Sequence, residues 1–101
     1  MTDVDRIDRL VHEPARLAIL VGLAQVEEAE FSFLVDALGM TRGNFAAHAA
    51  RLEEQGLVSR SKAFVDDRPR TTYRLTAEGR RRLRDYRRTM RAVLSDIPGR
   101  P

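Results

Sequence analysis

Cysteine and tryptophan are absent from this 101-residue sequence, and lysine occurs once, at Lys62. Without cysteine there is no disulfide, no thiolate zinc site and no thiol-based redox sensing. No apolar run approaches the roughly 20 residues that a membrane-spanning helix needs. The first ten residues, MTDVDRIDRL, are charged rather than signal-like. A soluble, cytoplasmic protein without membrane contact is therefore expected. Histidine occurs only at His12 and His48, a poor basis for a metal site, so neither a metal nor another cofactor is expected. Ser32, Ser59, Ser61 and Ser95 have no histidine–acid partners in a recognisable arrangement, and no glycine-rich phosphate loop appears, so the chain does not read as an enzyme. The length fits one domain, 1–101, with no room for a separate sensor or catalytic domain. Its 43% apolar content supplies one modest core, which an oligomer would help to bury.

The net charge of +3 hides an uneven distribution. Residues 1–39 hold three arginines against eight acids, a balance of −5, whereas residues 40–101 hold fifteen basic residues against seven acids, a balance of +8. An acidic front and a basic back suit a chain with one surface turned to a polyanion.

The stretch from Thr41 to Val58, TRGNFAAHAARLEEQGLV, reads as a complete helix with its own stop signals. Thr41 is a good N-cap, Phe45, Ala49 and Leu52 form one apolar stripe, and Gly56 suits the left-handed residue past a C-terminus. The opposite face carries Arg42, Asn44, Ala47 and Arg51, with His48 at its flank, and the acids Glu53 and Glu54 wait until the last turn. Small residues permit close approach to a DNA groove, and long polar ones reach base edges and phosphates. An ordinary surface helix is the alternative on this stretch alone.

Before it, residues 3–12 place Ile7, Leu10 and Val11 on one face and predict a short amphipathic helix or arm within 1–13. Pro14 suits the first position of a second helix over 14–26, with Leu17, Leu20, Leu23 and Ala24 as its core stripe. Phe31 fits a very short strand, Ser32 an N-cap, and Phe33 to Leu38 a two-turn helix ended by Gly39. Two helices joined by a short glycine-containing turn make a helix-turn-helix, with the 41–55 helix second.

After Val58, residues 59–65 and 71–75 predict two strands of a hairpin around a charged tip, DDRPR, that carries Arg68 and Arg70. Arg60, Lys62 and Arg74 lie on the arms. Thr76 then caps a last helix running to about Ile97. Leu83, Tyr86, Met90, Val93 and Ile97 recur at spacings of 3, 4, 3 and 4, the seam of a helix that pairs with another. The expected class is mainly α with a small β-wing, a winged helix-turn-helix with a long C-terminal helix.

The segments HEPARLAIL, NFAAHAARLEEQGLV and KAFVDDRPRTTYRLTAEGRRRLRDY together resemble the small stand-alone winged-helix transcriptional regulators related to the MarR and ArsR groups, over roughly residues 7 to 94. The resemblance implies a homodimer on double-stranded DNA with a palindromic operator, the 41–55 helix in the major groove and the wing, 59–75, on the backbone or minor groove. By position it implies DNA contacts from Arg42, Asn44, Ala46, Ala47 and His48, with Arg68 and Arg70 at the wing; Arg51 and Lys62 join them from the residue reading. Relatives often have polar residues where this chain has Ala46 and Ala47, and a leucine in place of Ala49. Fewer base hydrogen bonds are then available, so affinity leans on phosphates and DNA shape.

For the dimer, Tyr86, Met90, Val93 and Ile97 of the last helix are expected to meet a second copy, together with Ile7, Leu10 and Val11. A cavity between the 14–26 helix and these dimer helices would suit a small-molecule effector, which the sequence does not identify. His48 reads equally as a DNA contact or as a half-buried packing residue. The arginines at 80, 81, 82, 84, 87, 88 and 91 form the solvated face of a long helix, with only those nearest the wing as DNA candidates. A winged-helix module that binds protein and not DNA remains the competing function.

Overall fold

The computed structural model describes residues 3–100; residues 1–2 and 101 of the expected domain lie outside the described residues. Four helices and a three-stranded antiparallel sheet follow a short 3-10 turn at Asp3–Arg6: α1 (Pro14–Ala24), β1 (Ala29–Glu30), α2 (Phe31–Leu38), α3 (Arg42–Glu54), β2 (Val58–Val65), β3 (Arg68–Leu75) and α4 (Ala77–Ser95). The sheet order is β1-β3-β2. This is the winged helix expected from the sequence.

The caps explain where the helices begin. Pro14 opens α1, and the Glu13 carboxylate accepts from the Arg16 N–H at 2.7 Å. The Thr41 hydroxyl accepts from the Asn44 N–H at 3.1 Å and the Thr76 hydroxyl from the Gly79 N–H at 2.9 Å, so both threonines cap as read from the sequence. Gly56, at φ +81°, ends α3 in the left-handed region.

α2 departs from expectation. It starts at Phe31 and not after Ser32, Glu30 is its N-cap without a side-chain bond, and the short strand lies one step earlier, at Ala29–Glu30. Pairing of Ala29 with Tyr73 and Glu30 with Thr72 fixes that strand. Phe31 is then drawn inward, with its ring edge-on to Phe45 at 5.2 Å and tilted on Tyr73 at 6.5 Å. Aromatic burial outweighs the weaker preference of a serine for the cap.

Ile19, Leu20 and Leu23 of α1, Phe45, Ala49 and Leu52 of α3, and Leu57 are fully buried and make the core, closed by Leu34, Val35, Val58, Tyr73 and Leu75. Burial pushes the Tyr73 phenol above its ordinary range, as does the Glu53 charge, while Arg60 opposes them. Gly79 is also buried, because a Cβ there would sit 2.1 Å from the Leu57 carbonyl oxygen. That same oxygen accepts from the Thr76 N–H at 3.0 Å, and the Thr76 hydroxyl lies 2.6 Å from the Gly56 carbonyl oxygen, so α4 starts against the root of the wing.

The N-terminal segment, expected as a short amphipathic helix or arm, is helical only over the 3-10 turn Asp3–Arg6. The Asp8 carboxylate accepts from the backbone N–H groups of Leu10 (3.1 Å) and Val11 (3.3 Å), and this local competition closes a turn where a helix would run on. The same carboxylate is gripped by Arg82 of α4 at 2.9 and 3.0 Å. Val11 is fully buried in the chain's own core and so is unavailable to a second copy, contrary to expectation; Ile7 and Leu10 are half-buried.

Burial alone would raise the Asp8 carboxyl, but the bonds from Arg82 and from the backbone, with the Arg82 charge, hold it below the usual carboxylate range. A depressed folded value contributes stability at every pH above the ordinary carboxylate range, and that contribution is lost as pH falls through the folded value. Asp8→Asn keeps the turn acceptors and removes the charge. It is expected to lower stability by about 1–2 kcal/mol near neutral pH in urea melts. The gap from wild type should close in acid; one that widens there would contradict this role.

Candidate nucleic-acid interface

α3 packs on the core through Phe45, Ala49 and Leu52, which turns Gly43, Asn44, Ala46, Ala47, Ala50 and Arg51 outward, all exposed. The spacing of the inner stripe settled most of this face in advance. Gly43 and Ala50 were not singled out from the sequence, although both belong to it; their signal was position on the wheel and not residue type. Among the described residues Arg51 has no ion-pair partner, and a Cβ at Gly43 would meet nothing within 4 Å. The face is therefore shallow, small and bordered by long polar side chains.

Arg42 is exposed but partly engaged, its guanidinium 4.7 Å from the centroid of the Phe31 ring. His48 follows the packing alternative. It is half-buried, its Nδ1 lies 3.3 Å from Arg16 Nη1 and 3.8 Å from a Glu13 carboxylate oxygen, and it faces the start of α1. Arg16 itself donates to the Leu10 carbonyl at 2.6 Å, so His48 is held in a small polar cluster beside α3.

The wing differs from expectation at its tip. Two strands of eight residues enclose a two-residue turn, Asp66–Asp67, with φ of +52° and +61°, the geometry of a tight hairpin turn. Arg68 and Arg70 are strand residues opposite Val65 and Ala63 and do not form the tip. Proline can sit inside this strand because Val65 and Arg68 close the turn, which leaves Phe64 and Pro69 a non-hydrogen-bonded pair. The tight turn wins because the Phe64–Pro69 pairing extends both strands, and aspartate tolerates positive φ.

Much of the basic charge is already paired. Arg60 meets Glu53 of α3 at 3.3 Å, Arg70 meets Glu30 at 3.4 Å and Arg74 meets Glu28 at 2.8 Å. Two acids of the front half, Glu28 and Glu30, and Glu53 of α3 thus neutralise the inner wing. On the hairpin, among the described residues, Lys62 and Arg68 alone keep basic side chains without an acid partner.

The α4 helix is amphipathic in two directions. Arg81 pairs with Glu78 and Asp85, Arg88 with Asp85 and Arg82 with Asp8. Towards α1 it borders an open apolar groove of about 530 Å³ lined by Leu17, Val21, Ala24, Leu83, Met90 and Leu94, with the Tyr86 ring also in its wall. The Tyr86 hydroxyl lies 2.8 Å from His12 Nδ1. Of the expected seam, Leu83, Tyr86 and Met90 reach this groove, Val93 is half-buried away from it and Ile97 is 62% exposed. Leu94, at 56% exposure, takes the place expected of Val93 on the open face.

Residues 15–94 match the family of winged helix DNA-binding domains, and the chain belongs to that family. Its fold is that of MarR-like transcriptional regulators, and it falls in the class of DNA-binding regulators. It is similar to a transcriptional regulator homologue from Pyrococcus horikoshii OT3, with 31% identity, a TM-score of 0.88, and coverage of 96% of this chain and all of that one. It is 32% identical over 78 residues to the uncharacterized protein MJ0432 of Methanocaldococcus jannaschii, covering 77% of this chain and 85% of the relative. The transcriptional repressor CouR, solved on a 23-mer DNA duplex, is 25% identical with a TM-score of 0.73, over 90% of this chain and 66% of CouR. Among the described residues no helix is long and apolar enough to cross a membrane.

Proposed function

We propose that this protein is a sequence-specific transcriptional regulator that acts in the cytoplasm as a homodimer on a palindromic operator. In this reading α3 enters the major groove and the hairpin lies on the adjacent backbone or minor groove. The observation that carries it is the outward face of α3, where Gly43, Ala46, Ala47 and Ala50 are exposed beside Asn44 and Arg51, and among the described residues no acid holds Arg51. A surface helix kept only for solubility would carry mixed charges there. Small side chains let the backbone approach the groove, alanine can touch a thymine methyl, and Asn44 has the donor and acceptor for an adenine edge. The repressor CouR on its duplex is similar in fold, and the same mode is proposed for this chain. The open groove beside α4 supports the homodimer, since a two-fold partner would cover it and set two α3 helices about 34 Å apart.

The test is a mobility-shift assay with DNA flanking the protein's own gene, titrated with salt and with random competitor. Specific binding should weaken with salt by a log–log slope of about 0.9 per phosphate contact. Asn44→Ala should lower affinity for the preferred site by about 1–3 kcal/mol and affinity for random DNA much less. Equal losses on both would make Asn44 a backbone contact. No preference of the wild type for any DNA would favour a winged-helix module that binds protein.

A further inference from the structure

We propose that Phe64 is an apolar wedge that enters the DNA minor groove and unstacks a base step, so that this protein bends its site. The inference rests on the DNA-binding reading and adds a specific contact to it.

Phe64 is 77% exposed, the most exposed of the large apolar residues described, and it lies one pair from the turn of the hairpin. Its cross-strand partner is Pro69, whose side chain is apolar. An exposed phenyl ring near the end of a hairpin is a liability for association unless something covers it.

Strand alternation says on which side it lies. Val58, Arg60, Lys62 and Phe64 share one face of β2, opposite Leu75, Tyr73, Thr71 and Pro69 of β3. Tyr73 on that face packs edge-on against Phe45 of α3 at 5.4 Å, and Arg60 pairs with Glu53 of α3. Phe64 therefore continues the side of the sheet that carries the recognition helix.

The charges select the occupant. The inner arginines of the wing are taken by Glu53, Glu30 and Glu28, whereas Lys62, two residues from Phe64 on the same face, and Arg68, beside the turn, have no acid partner among the described residues. An uncommitted cation on the ring's own face, and a second beside the turn on the opposite face of the hairpin, fit a groove walled by phosphates. The minor groove is about 6 Å wide, and apolar side chains inserted there part base steps and kink the duplex by roughly 20–90°. Asp66 and Asp67 are repelled by phosphate, so the arms of the hairpin and not its turn make the approach.

The experiment uses the full chain on its preferred duplex. Phe64→Ala should weaken binding roughly tenfold or more, the range of a base–aromatic contact, with the salt slope unchanged because no charge is lost. It should also reduce the bend seen when the site is moved along a fragment of fixed length. Phe64→Leu, still an apolar wedge, should keep most of the bend. Lys62→Ala with Arg68→Ala should instead lower the salt slope by about one to two. In wild-type complexes, 2-aminopurine at the parted step should brighten, and in Phe64→Ala complexes it should not.

Wild-type affinity and an unchanged bend in Phe64→Ala would overturn the wedge while leaving the DNA-binding reading intact. Failure of the wild type to bind any duplex would overturn both.

Discussion

Replacing Gly79 by alanine is expected to cost about 3 kcal/mol of stability, the upper end for overpacking a core. On an exposed helix the same change would help, because alanine is favoured over glycine by about 1 kcal/mol. Here the sign reverses. The new methyl would lie 2.1 Å from the Leu57 carbonyl oxygen and 2.8 Å from a Leu75 methyl. A side-chain methyl can swing aside, but the carbonyl belongs to the fixed backbone: Leu57 is fully buried, its N–H donates to the Leu52 carbonyl at the end of α3, and its oxygen accepts from the Thr76 N–H. The helix must therefore back away and give up the Thr76 cap. For a domain of this size the expected fall in melting temperature is roughly 10 °C or more. Calorimetry or a urea melt checks it, and a melting point within about 2 °C of wild type would show that α4 is not seated as described.

The second large effect concerns the proposed dimer. Leu94→Asp puts a charge on a side chain that is 56% exposed in the single chain and lies on the open groove. In a monomer such a surface change costs within about 0.5 kcal/mol. In a dimer the same charge is buried without a partner, which is expensive. The protein should sediment as a monomer, keep its melting behaviour, and lose about 100-fold or more in operator affinity, because two linked heads no longer act as one ligand. Val93→Asp, which lies off the groove and half-buried in its own chain, should instead lower stability with a smaller loss of operator affinity. A wild type that sediments as a monomer at micromolar concentration would remove the dimer from the proposed function.

Local signals carried most of the fold. Thr41, Gly56, Pro14 and Thr76 each act through their own backbone, so the helix limits they mark are readable one residue at a time. The α3 stripe was readable for the same reason, since Phe45, Ala49 and Leu52 follow the helical period. Tertiary pairings were not. The start of α2 depends on Ala29 and Glu30 meeting Tyr73 and Thr72, more than forty positions away. The Asp8 turn is local, but its seating on α4 depends on Asp8 finding Arg82, and an apolar pattern at Ile7, Leu10 and Val11 cannot report that. At the interface, position on α3 was legible, but commitment was not. Arg60, Arg70 and Arg74 look alike in the sequence to Lys62 and Arg68, and only the fold shows which of them are already neutralised.

The bracing between the wing and the helix-turn-helix bears on how any signal would travel. Phe31, Phe45 and Tyr73 join α2, α3 and β3 in one aromatic cluster, and ion pairs tie β2 to α3 and β3 to the segment before α2. α3 and the hairpin are thus braced together as one unit, which in the proposed function would act as a single reader. A change at the far end of α4 has little means of re-aiming one against the other. What it can alter is the separation and tilt of two whole readers, so regulation in a two-headed assembly would act as a change of gauge, matching or missing the helical repeat of DNA, with each reader's own grip left intact.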